Sequence, residues 1–181
     1  DLDGRADVYA LGATLYRMVS GRVPFDGGLM EVVLAHASAD TPAQWRYVED
    51  SGAAERSMDA ARQLDPAIRY VFSGHVHEQV LYFLTPTGKL MRFAPEPGVP
   101  IPVPQHRQWL AIAGSVGQPR DGDARAMYAV FDDAAAATIT FHRVPYDHLA
   151  TAAAIRAAGL PASYAERLEK AAETAGAINP A

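Results

Sequence analysis

The stretch Tyr70-Val71-Phe72-Ser73-Gly74-His75-Val76-His77 decides how the rest of the chain is read. Three apolar residues run into a small residue and a glycine, the pattern of a short buried strand that ends in a turn. Two imidazoles follow, two positions apart. In an extended backbone, residues i and i+2 point to the same side. Two neutral imidazoles on one side of a strand's carboxyl end suit a divalent metal. The same spacing also occurs in chains that bind no metal, so the context has to carry the reading.

Upstream, the run Val32-Val33-Leu34 fits either a buried strand or a turn of helix. It ends near His36, which would sit beside His75 and His77 if that run is a neighbouring strand. Residues 38–52 are polar and read as a loop with at most a short helix. Residues 53–64 carry a helical pattern that Pro66 stops. Downstream, 79–84 and 89–93 read as strands joined by Thr85-Pro86-Thr87-Gly88. The proline-rich 94–104 reads as an extended surface connector rather than a ladder strand. Strands follow at 110–113, 127–131 and 138–144. From Asp147 the chain is alanine-rich and predicts two helices split at Gly159-Leu160-Pro161, with their Leu, Ile and Ala faces on a sheet. Of the other histidines, His142 falls in a strand, His106 in the connector, and His148 near a helix start where solvent is expected.

A second small motif is Gly114-Ser115-Val116-Gly117-Gln118-Pro119-Arg120. Two glycines after a strand let a backbone approach a ligand closely, and Arg120 suits an anionic group as a bidentate donor. An ordinary strand-to-loop turn with a surface arginine has the same sequence. At the start of the chain, residues 8–19 space Val8, Leu11, Leu15 and Met18 along one helical stripe, ended by Ser20-Gly21 and Pro24.

Composition narrows the classes. Of 181 residues, 49% are apolar and 20% charged, enough for a packed core. The net charge of −5 gives no basic surplus for a nucleic acid. There is no cysteine, which removes disulfides, thiolate metal sites and a cysteine nucleophile, and fits a reducing, cytoplasmic setting. No apolar run is long enough for a membrane helix. The chain begins with Asp1 and no signal-peptide pattern follows, so a piece of a longer protein or a processed product is expected.

From about residue 31 onward the chain resembles the C-terminal part of a calcineurin-like metallophosphoesterase. The residues that carry this are Leu34-Ala35-His36-Ala37-Ser38, Trp45-Arg46-Tyr47, Ser73 to His77, and Gly114 to Asp123 followed by Ala126 to Phe131. The resemblance implies an α/β (α+β) fold, a mixed β-sandwich flanked by helices with a two-metal site at the strand ends. It implies hydrolysis of a phosphate ester, with manganese, iron or zinc as the divalent metal. By position, His36 and His75 match ligands of one metal and His77 a ligand of the other, and Arg120 is a substrate-binding candidate. The Asp-x-His, Gly-Asp-x-x-Asp and Gly-Asn-His-Asp/Glu segments of that family do not occur in these 181 residues. The chain alone is therefore expected to bind metal poorly and to be inactive.

Residues 1–28, with Asp3-Gly4-Arg5-Ala6-Asp7-Val8-Tyr9 and Val23-Pro24-Phe25, resemble the F-helix region of a bacterial serine/threonine protein kinase C-lobe. The resemblance implies a structural role for Asp7, bracing the catalytic loop. The Gly-rich loop, the His-Arg-Asp loop and Asp-Phe-Gly of a kinase are not in these residues, so kinase activity is not expected of them. Both families could claim residues 29–42. The organisation expected is a kinase-like helical fragment over 1–30, a partial metallophosphoesterase domain over 31–146, and its helical tail over 147–181. The alternative is part of a kinase fused to a non-catalytic binding or regulatory module. Truncated sheets leave open edges, so self-association is also expected; no nucleic-acid or membrane partner is.

Overall fold

The computed structural model describes residues 32–118, 120–133 and 136–177. The kinase-like stretch, with Asp7 and the 8–19 helix, lies outside the described residues. So do residues 29–31 of the junction and the last four residues of the tail.

Eight strands and three α-helices are described: β1 (Val32–Leu34), α1 (Ser51–Leu64), β2 (Tyr70–Ser73), β3 (Gln79–Leu84), β4 (Leu90–Phe93), β5 (Pro100–Pro102), β6 (Trp109–Ala113), β7 (Ala126–Asp132), β8 (Thr138–Val144), α2 (His148–Ala157) and α3 (Ala162–Ala177). They form a mixed α/β architecture with two sheets. The first sheet has the order β1-β2-β6-β3-β4 and the second β5-β8-β7. β1, β2 and β6 run parallel to one another, while β3 is antiparallel to β6 and β4. The ambiguous run after Glu31 is thus a strand, with Leu34 opposite Phe72.

Strand alternation splits the first sheet's side chains between two cores. Val71, Val80, Tyr82, Leu110 and Ile112 pack with Ala53, Ala54, Met58 and Ala61 of α1. Tyr70, Leu81, Trp109 and Ala111 face the second sheet and pack on Val103, Ile139 and Phe141. The order of layers is helix, sheet, sheet. α1 starts two residues before the predicted helix because the Asp50 carboxylate accepts from the Ala53 amide at 2.7 Å, a helix N-cap.

Two expectations are corrected here. The proline-rich segment is not only a connector: Pro100–Pro102 pairs antiparallel with β8, Ile101 opposite Ile139. β5 is an edge strand, where a proline nitrogen can face away from the ladder without losing a bond. The Val103 amide donates to Ala137 O at 2.9 Å, and the Tyr70 hydroxyl donates to Val103 O at 2.8 Å, tying this edge to the first sheet. The helical tail is also different. The buried residues of α2 and α3, Ala152, Ala165 and Leu168, form their own cluster with Ile155 rather than joining a sheet core. Alanine-rich faces approach each other closely, so the two helices bury their small stripe in one another. An Arg156–Glu169 ion pair at 2.7 Å links their outer surfaces. Among the described residues no helix is long and apolar enough to cross a membrane.

A candidate site at the parallel strand ends

Because β1, β2 and β6 are parallel, their carboxyl ends lie on the same side of the sheet. His36 follows β1, His75 and His77 follow β2, and the Gly114–Arg120 loop follows β6. Ligand sites collect at such ends because loops from several strands converge there. Gly74 is the meeting point: its amide donates to His36 O at 3.1 Å. A Cβ there would lie 3.5 Å from His36 O and 4.0 Å from Gly114 O.

His36 Nε2 lies 3.0 Å from His75 Nδ1. One of the two nitrogens donates and the other accepts when both rings are neutral. His36 is exposed and His75 half-buried. Aromatic rings surround the pair. Tyr47 lies against His75 with centroids 4.1 Å apart, and Trp45 against His36 at 4.7 Å. Arg120 reaches the same place, its guanidinium carbon 5.9 Å from the Tyr47 ring centroid.

The backbone here differs from the extended form that the sequence suggested. His75 has φ 64° and His77 φ 68°, both left-handed. The Val76 amide donates back to Gly74 O at 2.7 Å, so a tight turn rather than a strand carries the two histidines. The same-side argument from strand alternation therefore fails. His75 turns to His36, whereas His77 turns to the loop after β6, its Nδ1–H donating to Gln118 O at 2.7 Å. That bond assigns the proton to Nδ1 and leaves the Nε2 lone pair open in the neutral ring. Burial pulls the His77 pKa below its ordinary value; the Gln118 carbonyl opposes this, and the charges of Arg120, His36 and Arg167 add to it.

Among the described residues no group of three or more His, Asp or Glu side chains is placed to hold a metal ion. The facing nitrogens of His36 and His75 form a pair, short of such a group. The donor set fits a divalent metal in part: imidazoles, with no carboxylate completing the set. The structure thus brings together His36, His75 and Arg120, and sets His77 beside Arg120, whose amide donates to His77 O at 3.3 Å. Trp45 and Tyr47, which carried the resemblance without being given a site role, are also site residues. Two aromatics in an otherwise polar loop are the signal that could have placed them there. His148, expected in solvent, is half-buried, and its Nε2 is buried without a hydrogen-bond partner.

Behind the site, Gln79 joins the two sheets. Its amide nitrogen lies 3.3 Å from Ala113 O and 3.1 Å from both Tyr128 O and His142 O. Its carbonyl accepts from Arg143 Nε at 3.2 Å. Arg143 also pairs with Asp121 and, at 3.3 Å, with Asp123. Hydrogen bonds from the Arg125 guanidinium hold the Asp123 pKa at about 2.

The two-sheet α/β architecture is similar to a metallophosphoesterase fold. The chain is similar to the crystal structure of a metallophosphoesterase from Sphaerobacter thermophilus, with TM-score 0.61 and 30% identity over 85% of this chain and 62% of that one. Curated relatives match more narrowly. The serine/threonine-protein kinase PrkC of Bacillus subtilis (strain 168) is 41% identical over 44 residues, 24% of this chain and 7% of the kinase. The serine/threonine-protein kinase Pkn1 of Myxococcus xanthus is 39% identical over 71 residues, 38% of this chain and 10% of the kinase. No family model matches the chain. The chain therefore spans less than two thirds of the solved neighbour and a tenth or less of the kinases.

Proposed function

We propose that this chain is part of a bacterial, cytoplasmic metal-dependent phosphoesterase, inactive as these 181 residues alone. The observation that carries the reading is the pair of facing imidazole nitrogens, 3.0 Å apart, at the carboxyl ends of two parallel strands. His36 and His75 would hold one divalent metal (manganese, iron or zinc) and His77, through Nε2, a second. Bound cations in such a site supply charge for phosphoryl oxygens and a nucleophilic hydroxide. The chain's own residues bind and orient. Arg120 offers two parallel N–H donors to a phosphate-ester oxygen pair. The Gln118 carbonyl fixes the His77 ring and its tautomer. With imidazoles alone among the described residues there, the cations' charge is not neutralised, so metal affinity stays weak and turnover negligible.

The experiment is calorimetric titration of the whole chain with Mn2+ and Zn2+, alongside hydrolysis of bis(p-nitrophenyl) phosphate in the same metals. Weak binding that His36→Ala or His75→Ala abolishes, with no hydrolysis above the metal blank, is expected. Metal-dependent turnover by the chain would refute inactivity, and binding unchanged in both variants would refute the site. The partial matches to two bacterial kinases favour a second reading, a kinase piece joined to a non-catalytic binding or regulatory module. On that reading the variants change no metal binding because there is none. Both sheets end in strands with an unpaired side among the described residues, which supports self-association. Elution as a monomer at high concentration would count against it.

A further inference from the structure

We propose that Tyr47 is a positioning residue that couples the Arg120 guanidinium to the His75 imidazole, holding an anion-binding charge and the imidazole pair in one arrangement. The chemistry it serves rests on the phosphoesterase reading above; the coupling itself does not. Tyr47 touches both partners: its ring centroid is 4.1 Å from that of His75 and 5.9 Å from the Arg120 guanidinium carbon. At that distance the cation is attracted by the ring's quadrupole. Arg120 and His75 come from loops after different strands, β6 and β2, and Tyr47 spans them from a third.

The chain around Tyr47 is built to hold it there. Val48, the next residue, is 1% exposed and anchored in the core beneath α1, so Tyr47 turns outward at 39% exposure. On the other side, Arg46 O accepts from the Ser38 amide at 3.0 Å, closing the loop on the end of β1. Trp45 is left-handed, φ 50°, which swings its ring onto His36. A tyrosine kept only for packing would be buried; this one is half in solvent, with a cation over its ring and an imidazole against it.

The test uses the whole chain supplied with Zn2+ and inorganic phosphate as the anion probe. Tyr47→Leu should weaken phosphate binding about threefold to tenfold, the range expected when a cation loses its aromatic partner, and Arg120→Gln by about tenfold or more, because it removes the charged donor itself. The double variant should be no weaker than the stronger single one, because the two residues act together. Tyr47→Phe, which keeps the ring, should restore binding to within about twofold. Full phosphate affinity in Tyr47→Leu, or losses that multiply in the double variant, would overturn the proposal. A second arm needs no metal. The His75 ring-proton resonances should move in Tyr47→Leu and Arg120→Gln and stay near wild type in Tyr47→Phe. If the wild-type chain binds neither zinc nor phosphate, the phosphoesterase reading fails, and this arm alone decides the coupling. His75 resonances unmoved by Tyr47→Leu would overturn it.

Discussion

Gly114→Ala should destabilise the protein more than any other glycine substitution in the site loops. Gly114 has φ 92°, which a side chain disfavours, and a Cβ placed there would lie 2.8 Å from Met127 Cβ and 3.0 Å from Gln79 Cγ. The backbone conformation costs about 1–2 kcal/mol for a residue with a Cβ. The overlap adds about 1–3 kcal/mol, the range for overpacking a filled core, because Met127 is 2% exposed and its Cβ cannot swing away. The sum, about 2–5 kcal/mol, is a large share of the ~5–15 kcal/mol by which a domain is stable. Urea unfolding followed by far-UV circular dichroism measures it, with the slope unchanged so that the midpoint shift reports stability. Gly117→Ala in the same loop is the control: no atom lies within 4 Å of its Cβ, and a change within about 0.5 kcal/mol is expected. A Gly114→Ala loss below about 1 kcal/mol, or one equal to that of Gly117→Ala, would refute the reasoning.

Gln79→Met keeps the volume but removes buried hydrogen bonds between the sheets and a partner of Arg143; the urea midpoint should fall by about 2–3 kcal/mol of stability. Asp50→Ala removes the α1 N-cap and should cost about 1 kcal/mol in the same assay. For acid stability, Asp123 titrates at about 2 in the folded protein against 3.8 unperturbed. Its contribution is complete above pH ~3.8 and is lost as pH falls towards 2, where the folded state too takes up the proton. Urea midpoints between pH 5 and pH 2 should show this drop, and Asp123→Asn should flatten it; an equal drop in that variant assigns the acid sensitivity elsewhere.

How much of this was legible in the sequence depends on whether the determinant was local. The α1 helix was visible because Ala53, Ala54, Met58 and Ala61 recur at helical spacing and Pro66 ends it. The six strands β2, β3, β4, β6, β7 and β8 were visible because each is a short apolar run bounded by turn residues. β5 was not, because two prolines argue against a ladder strand until its edge position is known, and edge position is a property of the whole sheet. The packing of α2 on α3 was hidden too, since an alanine-rich face fits a helix or a sheet equally well. At the site, the residue types were legible and the geometry was not. The spacing of His75 and His77 predicts extended neighbours, yet both are left-handed in a local turn, and the partners that their rings meet lie far along the chain. The Gln118 carbonyl, 41 positions from His77, accepts from its ring N–H, and His36, 39 positions from His75, faces its ring.

That bend argues that the strand ends are built for something. Of the described non-glycine residues with positive φ, three of four, Trp45, His75 and His77, border the same site. Each such residue costs about 1–3 kcal/mol and persists only where surrounding contacts over-determine it. Here they do. Ser38 is bonded to Arg46, Ser73 Oγ to Ala37 O at 2.8 Å, His77 to Gln118, and Arg120 to His77. The first bond closes the loop after β1 on itself, and the others tie that loop, the turn after β2 and the loop after β6 to one another. Glycine at 75 or 77 would relieve the backbone cost while deleting the imidazoles. His75→Gly and His77→Gly should therefore destabilise the fold by less than a buried truncation does, under about 1 kcal/mol, because the relieved strain offsets the lost contacts. Urea unfolding of the two variants reads this directly, and a loss of 3 kcal/mol or more, the size seen for removing a core aromatic, would show that the histidines are there to support the fold instead.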